Sequence, residues 1–218
     1  VPILVLGDPA QLLPVGSSGF FTNSKPDFLL DQIHRQAQGN PILELATLTR
    51  NQESLKRGKY GESLVINRDE MDAQMALNCD QIIVGRNRTR ETINARLRQL
   101  KGFEGGVAKG DRVVCLRNEH DLGMLNGSLW NVQATFPGMT DRIFLTLDPL
   151  DGASGQEINV EAHLQHFQQR SDEIPPWERR EAQELTYGYA LTCHKAVPYK
   201  QLNPATAPSR EISRGLVM

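Results

Sequence analysis

A carboxylate and a side-chain amide follow the first apolar run of the sequence, in the segment GDPAQLLPV. Residues 1–6 are apolar and rich in branched side chains, which predicts a buried parallel strand. Asp8 and Gln11 would then leave the carboxyl edge of a sheet, where open α/β sheets bind their ligands. There Asp8 can hydrogen-bond a hydrated metal or an arginine, and Gln11 can contact a terminal phosphate or orient a water. A tight turn capped by Asp8 explains the same spacing and is, from these residues alone, the commoner arrangement.

Two later segments carry cations suited to anionic ligands. Arg35 follows an apolar stretch and can make a forked contact to phosphate oxygens, although a surface salt bridge is the commoner use of such a residue. Asn87 and Arg88 follow the apolar run QIIV and Gly85, an arrangement that favours an anion at the amino end of a helix. Residues 86–101 hold six basic residues and one acid. This helix can therefore face a polyanion such as a DNA backbone, or simply be solvated on its basic side.

Thr192, His194 and Lys195 complete the set of candidate binding residues. A hydroxyl, an imidazole and an ammonium suit phosphate contacts better than catalysis, because no carboxylate stands beside His194 to orient it. His163 and His166 form an H-x-x-H pair, but no further cluster in the sequence completes a metal site. We expect these two histidines to be structural and predict no metal site.

Some common sites are missing from the sequence. It has no G-x-x-x-x-G-K-[ST] phosphate loop, and no apolar strand ends in a paired Asp-Glu that would hold magnesium. An ATP site cannot be built from this chain alone. There is no run of roughly 18 apolar residues to span a membrane and no signal-peptide pattern, and the three cysteines are widely spaced. These features predict a cytoplasmic protein with reduced thiols and no membrane partner.

The elements that would position these residues follow an α/β order. Residues 41–50 have the apolar spacing of a helix, with Asn40 as its cap and a proline in the first turn. Residues 81–84 (QIIV) predict a buried strand, and the helix after it carries Ile93, Leu97 and Leu100 on one face. A strand followed at once by a helix indicates a sheet with helices packed on it.

The pattern changes after Lys109. Short runs typical of strands follow one another at RVVC, RIFLTL and EINV, and Asn126-Gly127 is a strong hairpin signal. Roughly 50 residues of closely spaced strands predict a small β-barrel inserted in the α/β framework. Residues 197–218 contain three prolines and no periodicity, so we expect them to be irregular.

In this order the segments resemble superfamily 1 DNA helicases of the RecD-like and Dda-like, 5′-to-3′ group, including the UvrD-like helicase C-terminal region. VLGDPAQLLPV is similar to motif III, IHRQA to motif IV, IIVGRNRTRETINARLR to the segment that follows, and YGYALTCHKA to motif V. GDRVVCLRN and LNGSLWNV together resemble the SH3-like insertion of the second motor domain. These matches span residues 2–196, almost the whole chain.

The resemblance implies an α/β fold class: a RecA-like parallel-sheet motor domain with an inserted SH3-like small β-barrel. Residues 1–36 would be the end of the first RecA-like domain and 37–108 the first part of the second. Residues 109–174 would be the SH3-like insertion, and 175–196 the return to the second RecA-like domain. Residues 197–218 would be an irregular tail of frameshifted or gene-end sequence.

The resemblance also implies a nucleotide site that uses ATP and Mg²⁺ in the intact enzyme. Asp8 and Gln11 would lie between the nucleotide and the DNA, and would couple the state of the γ-phosphate to movement of the motor. Arg35 would contact the γ-phosphate across the cleft between the two motor domains.

A second implied site binds single-stranded DNA. Thr192 and His194 would touch its backbone, with Lys195 nearby, while Asn87 and Arg88 would lie in the segment that supports this binding. Alternating grip on the phosphates during ATP hydrolysis would then move the strand.

The sequence departs from the family in four places. The family's Walker A and Walker B motifs precede motif III, so we expect the chain to begin after them. Motif V normally continues as HKAQGSQ, whereas here it reads HKAVPY, and the last arginine-bearing motif has no counterpart. Leu13 stands where motif III usually has proline.

The expected function is the C-terminal part of an ATP-dependent DNA helicase that neither hydrolyses ATP nor unwinds DNA by itself. A single-stranded DNA-binding module and a non-functional truncated product are the alternatives.

Overall fold

The computed structural model describes residues 2–7, 26–28, 40–150, 156–196 and 215–217. The chain forms two compact units, Val1–Met71 and Asp72–Met218. None of the helices in these described ranges is both long and apolar enough to cross a membrane.

The first unit contains the predicted helix, α1 (Pro41–Arg50), and a small hairpin of β1 (Gly58–Tyr60) and β2 (Ser63–Val65). The Oδ1 atom of Asn40 accepts a hydrogen bond of 2.9 Å from the N–H of Ile42. Asn40 is therefore the cap that the sequence predicts, and it satisfies one of the free donors at the start of α1.

The predicted buried strand over residues 1–6 is wrong. Residues 2–7 form no strand, and the side chains of Ile3, Leu4 and Leu6 are 86%, 82% and 83% exposed. A parallel strand needs neighbouring strands to pair its N–H and C=O groups. No described strand pairs with this segment, so its apolar composition alone does not produce one.

The second unit begins with α2 (Ala73–Asn78) and a parallel sheet of three strands. The sheet has the order β10-β3-β9, with β3 (Gln81–Val84) between β9 (Ala190–Thr192) and β10 (Gly215–Val217). The helix α3 (Asn87–Leu100) follows β3, as the sequence predicts. The strand β10 differs from the expected irregular tail: its short apolar run pairs with β3.

Helix α3 packs on this sheet through the face predicted from its spacing. Leu97 is buried with Ile82 and Val84, and Ile93 and Leu100 pack against the same cluster. The buried side chain of Asn94 adds polar links, because its Oδ1 accepts from the N–H of Ala190 at 2.8 Å and its Nδ2 donates to the carbonyl of Tyr187 at 3.0 Å. These bonds fix α3 against β9.

A second, antiparallel sheet has the strand order β7-β6-β5-β4-β8. Its strands are β4 (Arg112–Cys115), β5 (Leu129–Pro137), β6 (Arg142–Pro149), β7 (Ile158–His163) and β8 (Leu185–Tyr187). In the described residues the chain is thus α/β, with a parallel sheet, this five-stranded antiparallel sheet and the small β1–β2 hairpin, which confirms the predicted fold class at that level.

The antiparallel sheet curls back on itself. Ala162 in β7 pairs with Gln183, just before β8, and the N–H of Gln183 donates to the carbonyl of Glu161 at 2.7 Å. The enclosed space is filled by a buried apolar cluster: Val107, Val113, Cys115, Met124, Trp130, Val132, Leu145, Leu147, Val160, Ala162, Phe167 and Leu185. This closure joins the two edges of a small sheet, as in a barrel.

The Asn126-Gly127 pair does not form the simple hairpin that its sequence predicts. The connection between β4 and β5 is longer and includes a 3₁₀ turn at His120–Leu122 and a bridge between Glu119 and Met124. Gly127 has a φ of 90°, which explains the glycine. The dipeptide therefore lies at the second bend of a long connection.

The chain returns to the parallel sheet at Gly188, between β8 and β9. A Cβ atom at this position would lie 2.9 Å from Leu129 Cδ2 and 3.0 Å from the carbonyl carbon of Val113. Only glycine fits this approach without a shift of its neighbours. β8, which belongs to the antiparallel sheet, ends directly before this glycine.

Candidate nucleic-acid interface

Two segments predicted to contact DNA leave the same edge of the parallel sheet. β3 and β9 run in the same direction with Val84 opposite Thr192. Helix α3 begins at Asn87, soon after Val84, and the short helix α5 (Cys193–Ala196) begins directly after Thr192. The structure therefore brings the Asn87–Arg88 segment and the Thr192–Lys195 segment together, although they are far apart in the sequence.

The amino end of α3 is open and basic. Arg86 is the N-cap residue, but its side chain makes no capping hydrogen bond. Asn87 and Arg88 are exposed beside it. The first N–H groups of a helix need partners and carry partial positive charge. This end therefore offers uncapped donors and arginine side chains to an anion.

The three predicted residues at the end of β9 differ in exposure. Thr192 is buried, with 6% of its surface exposed, whereas His194 is exposed and Lys195 is half-buried. The Nζ atom of Lys195 donates to Asn126 Oδ1 at 2.7 Å and to the carbonyl of Leu116 at 3.3 Å. Burial, together with the positive charge of Arg90, lowers the pKa of Lys195.

Lys195 thus connects the parallel sheet to the long β4–β5 connection. A Cβ atom on Gly127 would lie 3.0 Å from the carbonyl oxygen of Lys195, so the backbones approach closely there. The ammonium is held at a fixed place by neutral acceptors rather than by a carboxylate. Its charge therefore remains available to a phosphate.

A cleft of about 820 Å³ lies next to this edge, within the second unit. Its lining includes Asn87 and Arg90 of α3, Glu184, and Lys195 of α5. In the sequence, Arg90 is one of several arginines of a basic helix. Its Nη2 lies 3.3 Å from the carboxylate of Glu91, while its buried Nε has no hydrogen-bond partner among the described residues. The residue spacing gave no signal that distinguishes Arg90 from the other arginines of α3.

Arg98 of the same helix does not belong to the basic face that its sequence position predicts. Its guanidinium makes two hydrogen bonds of 2.9 Å to the fully buried carboxylate of Asp111, and it lies 4.3 Å from the centre of the Tyr187 ring. The Tyr189 hydroxyl donates to the same carboxylate at 2.9 Å. The Arg98–Asp111–Tyr189 contacts therefore link α3 to the two segments where the chain passes between the sheets. One segment precedes β4 and contains Asp111, and the other joins β8 to β9 and contains Tyr189.

The two predicted structural histidines are both buried at the end of β7 and in the following helix, α4 (Leu164–Phe167). His163 Nε2 lies 3.0 Å from the carbonyl of Glu178, and His166 Nδ1 lies 2.9 Å from the Ser171 hydroxyl. Burial lowers the pKa of His166. Within the described ranges, no group of three or more His, Cys, Asp or Glu residues could hold a metal ion.

The residues predicted to face a nucleotide, Asp8, Gln11 and Arg35, lie outside the described residues. The residues that would hold ATP and Mg²⁺ therefore lie outside the described part of the chain.

No protein-family model matches the chain, and no curated protein matches its sequence. Among solved structures it is similar to unliganded Pif1 from Bacteroides sp., at 18% identity over 52% of this chain and 41% of that chain, with a TM-score of 0.31. A structure of two coordinating Pif1 helicases on forked double-stranded DNA gives 20% identity over 76% and 39%, with a TM-score of 0.41. Bacteroides sp. Pif1 in complex with ADP-AlF4 gives 17% identity over 85% and 49%, with a TM-score of 0.35. The chain spans less than half the length of each of these proteins.

Proposed function

We propose that this chain is part of a superfamily 1 DNA helicase and that it binds single-stranded DNA where β3 and β9 end. One observation carries the proposal. Two segments assigned to DNA from their sequences alone, one opening at Asn87 and one closing at Lys195, leave the same edge of one parallel sheet. Ligands of open α/β sheets bind at this edge.

The chemistry of the edge suits a phosphate backbone. Arg86 and Arg88 are exposed at an uncapped helix end, His194 is exposed after the paired strand β9, and Lys195 is half-buried. Contacts of this kind bind single strands without reading their sequence. Thr192, which is mostly buried, would contribute from the strand end beneath these side chains.

The rest of the proposal follows from the sequence resemblance. In the intact enzyme, which we place in the RecD-like and Dda-like group, ATP hydrolysis drives 5′-to-3′ movement on DNA. Asp8 and Gln11 couple the nucleotide to the DNA, Arg35 contacts the γ-phosphate, and Mg²⁺ accompanies ATP. The antiparallel sheet is the SH3-like insertion. Because the sequence has no phosphate loop, the chain by itself binds single strands but does not hydrolyse ATP.

The DNA-binding edge is tested by the affinity of the 218-residue chain for fluorescein-labelled oligodeoxythymidylate at several salt concentrations. We expect log K to fall linearly with log salt concentration, and Arg88→Ala to reduce the slope by about 0.7, the value for one phosphate contact on a single strand. Arg96→Ala is the matched control. It removes the same charge from an exposed position about two turns further along α3.

Equal slopes for Arg88→Ala and the unchanged chain would remove this edge from the DNA path. An ATPase measurement on the same samples tests the nucleotide part of the proposal, namely that the chain alone does not hydrolyse ATP. DNA-stimulated hydrolysis by the chain alone would contradict the nucleotide part of the proposal and leave the binding part intact.

A further inference from the structure

The cleft beside the proposed DNA edge has the size of a ligand site. Its volume of about 820 Å³ falls within the range of roughly 300–1,000 Å³ typical of small-ligand pockets. It begins at Asn87 and Lys195, two residues of the edge, and extends between α3 and the segment that contains α4. The cleft therefore shares lining residues with the proposed DNA edge.

Two cations line the cleft together with carboxylates, since Arg90 is paired with Glu91 and Glu184 belongs to the same lining as Lys195. Arg90 and Lys195 both line it. The described hydrogen bonds of the Lys195 ammonium go to neutral oxygens, and the Arg90 Nε is buried without a hydrogen-bond partner among the described residues. Like charges placed close together destabilise each other. A phosphate held between these side chains would relieve that repulsion.

The interior combines apolar walls with unsatisfied polar atoms. Leu116, Leu164 and Phe167 form part of the walls, and the side chain of Gln168 also lines the cleft. His166 is 8% exposed, and its Nε2 has no hydrogen-bond partner in the described part of the chain. A nucleobase has the matching chemistry, because its faces are apolar while its edges carry donors and acceptors.

We propose that this cleft takes one unstacked base of the bound single strand, while Arg90 and Lys195 hold the phosphate attached to it. The inference rests on the proposed function, since it concerns the strand bound at the same edge. The cleft would then anchor the strand through a base, in addition to the phosphate contacts of the edge.

The test compares two strands with equal numbers of phosphates, oligodeoxythymidylate and a fully abasic oligonucleotide of the same length. Both are titrated with the whole chain and followed by fluorescence anisotropy. Each oligonucleotide is uniform along its length, so sliding of the strand on the protein does not change the measured difference in affinity. We expect the strand with bases to bind about fivefold more tightly or better, the low end of the contribution of one stacked base.

Ala95→Trp blocks the cleft from an exposed position of α3 that lines it. Thr92→Trp adds the same side chain at an exposed position of α3 that does not line the cleft. We expect Ala95→Trp to remove most of the preference for the strand with bases, and Thr92→Trp to keep it. If the circular dichroism of Ala95→Trp differs from that of the unchanged chain, Ala95→Met is used instead. Methionine is smaller, still fills part of the cleft and has a high helix propensity.

The outcomes separate the two proposals. An unchanged preference in a folded Ala95 variant, or no preference in the unchanged chain, would overturn the base-binding cleft and leave the DNA edge standing. Failure of both strands to bind would overturn the DNA edge and the cleft together. Arg90→Gln should weaken both strands by the same factor, and a loss confined to the strand with bases would contradict the phosphate role of Arg90.

Discussion

The two ends of helix α3 place arginine in different surroundings. Near the carboxyl end, Arg98 lies inside the fold and bonds in two places to the buried carboxylate of Asp111. At the amino end, Arg86 and Arg88 are exposed beside an uncapped helix terminus. Both ends contribute to the basic charge of the sequence, yet the charge of Arg98 is paired inside the fold, whereas the side chains of Arg86 and Arg88 are exposed.

This difference teaches that local charge is a poor guide to a nucleic-acid surface until the partner of each cation is known. The Asp111 carboxylate also accepts hydrogen bonds from the Tyr189 hydroxyl and the Ala108 N–H. The charge of Arg98 is satisfied by this buried carboxylate and therefore serves the fold. An exposed arginine keeps its charge in contact with solvent, where it can bind an anion.

Of the changes that test this difference between the ends of α3, replacement of Arg98 is expected to have the largest effect. We expect Arg98→Met to lower the free energy of unfolding by about 3–5 kcal/mol, because it leaves the Asp111 carboxylate buried without a cation. Urea denaturation measures the change. Adding Asp111→Asn should recover part of the loss, since the amide oxygen can still accept hydrogen bonds and carries no charge.

A loss below about 0.5 kcal/mol for Arg98→Met, the range of ordinary surface substitutions, would place Arg98 with the exposed arginines and remove the contrast between the two ends of α3.

A smaller loss of folding stability is expected at high pH. It arises from the tyrosines around Arg98, at the buried carboxyl end of α3. Burial raises the pKa of Tyr187 from 10.0 to about 12 and also raises the pKa of Tyr189. The unfolded chain therefore loses these protons at lower pH than the folded chain does. Stability from this source is complete below about pH 10 and falls as the pH rises toward 12, by at most about 1.4 kcal/mol per pH unit for each group.

Urea midpoints measured across this pH range test the assignment. Tyr187→Phe keeps a ring beneath the Arg98 guanidinium and should make the decline less steep. An identical pH dependence in the variant and the unchanged chain would mean that Tyr187 titrates normally.

Part of this architecture could be predicted because its signals are local. The helix capped by Asn40, the strand at 81–84 and the apolar face of α3 depend on residues close in sequence. The edge where β3 and β9 end could also be anticipated, since parallel strands carry their following segments to one side of a sheet.

Other features depend on partners that no local pattern reveals. The burial of Arg98 requires Asp111 and two tyrosines from a distant segment. The apolar residues 1–6 predict a strand, but residues 2–7 are exposed and have no pairing strand among the described residues. The cleft is formed by side chains from several elements, so no local pattern indicates it.

The central claim is that one edge of the parallel sheet joins two distant segments into a single surface for DNA. Photo-crosslinking of the whole chain to oligodeoxythymidylate that contains bromodeoxyuridine, followed by mass spectrometry of the peptides, tests it most directly. We predict crosslinks to both the segment that opens α3 at Asn87 and the segment that contains His194 and Lys195. Crosslinks confined to other surfaces, such as the exposed face of the antiparallel sheet around Phe136 and Phe144, would contradict the claim.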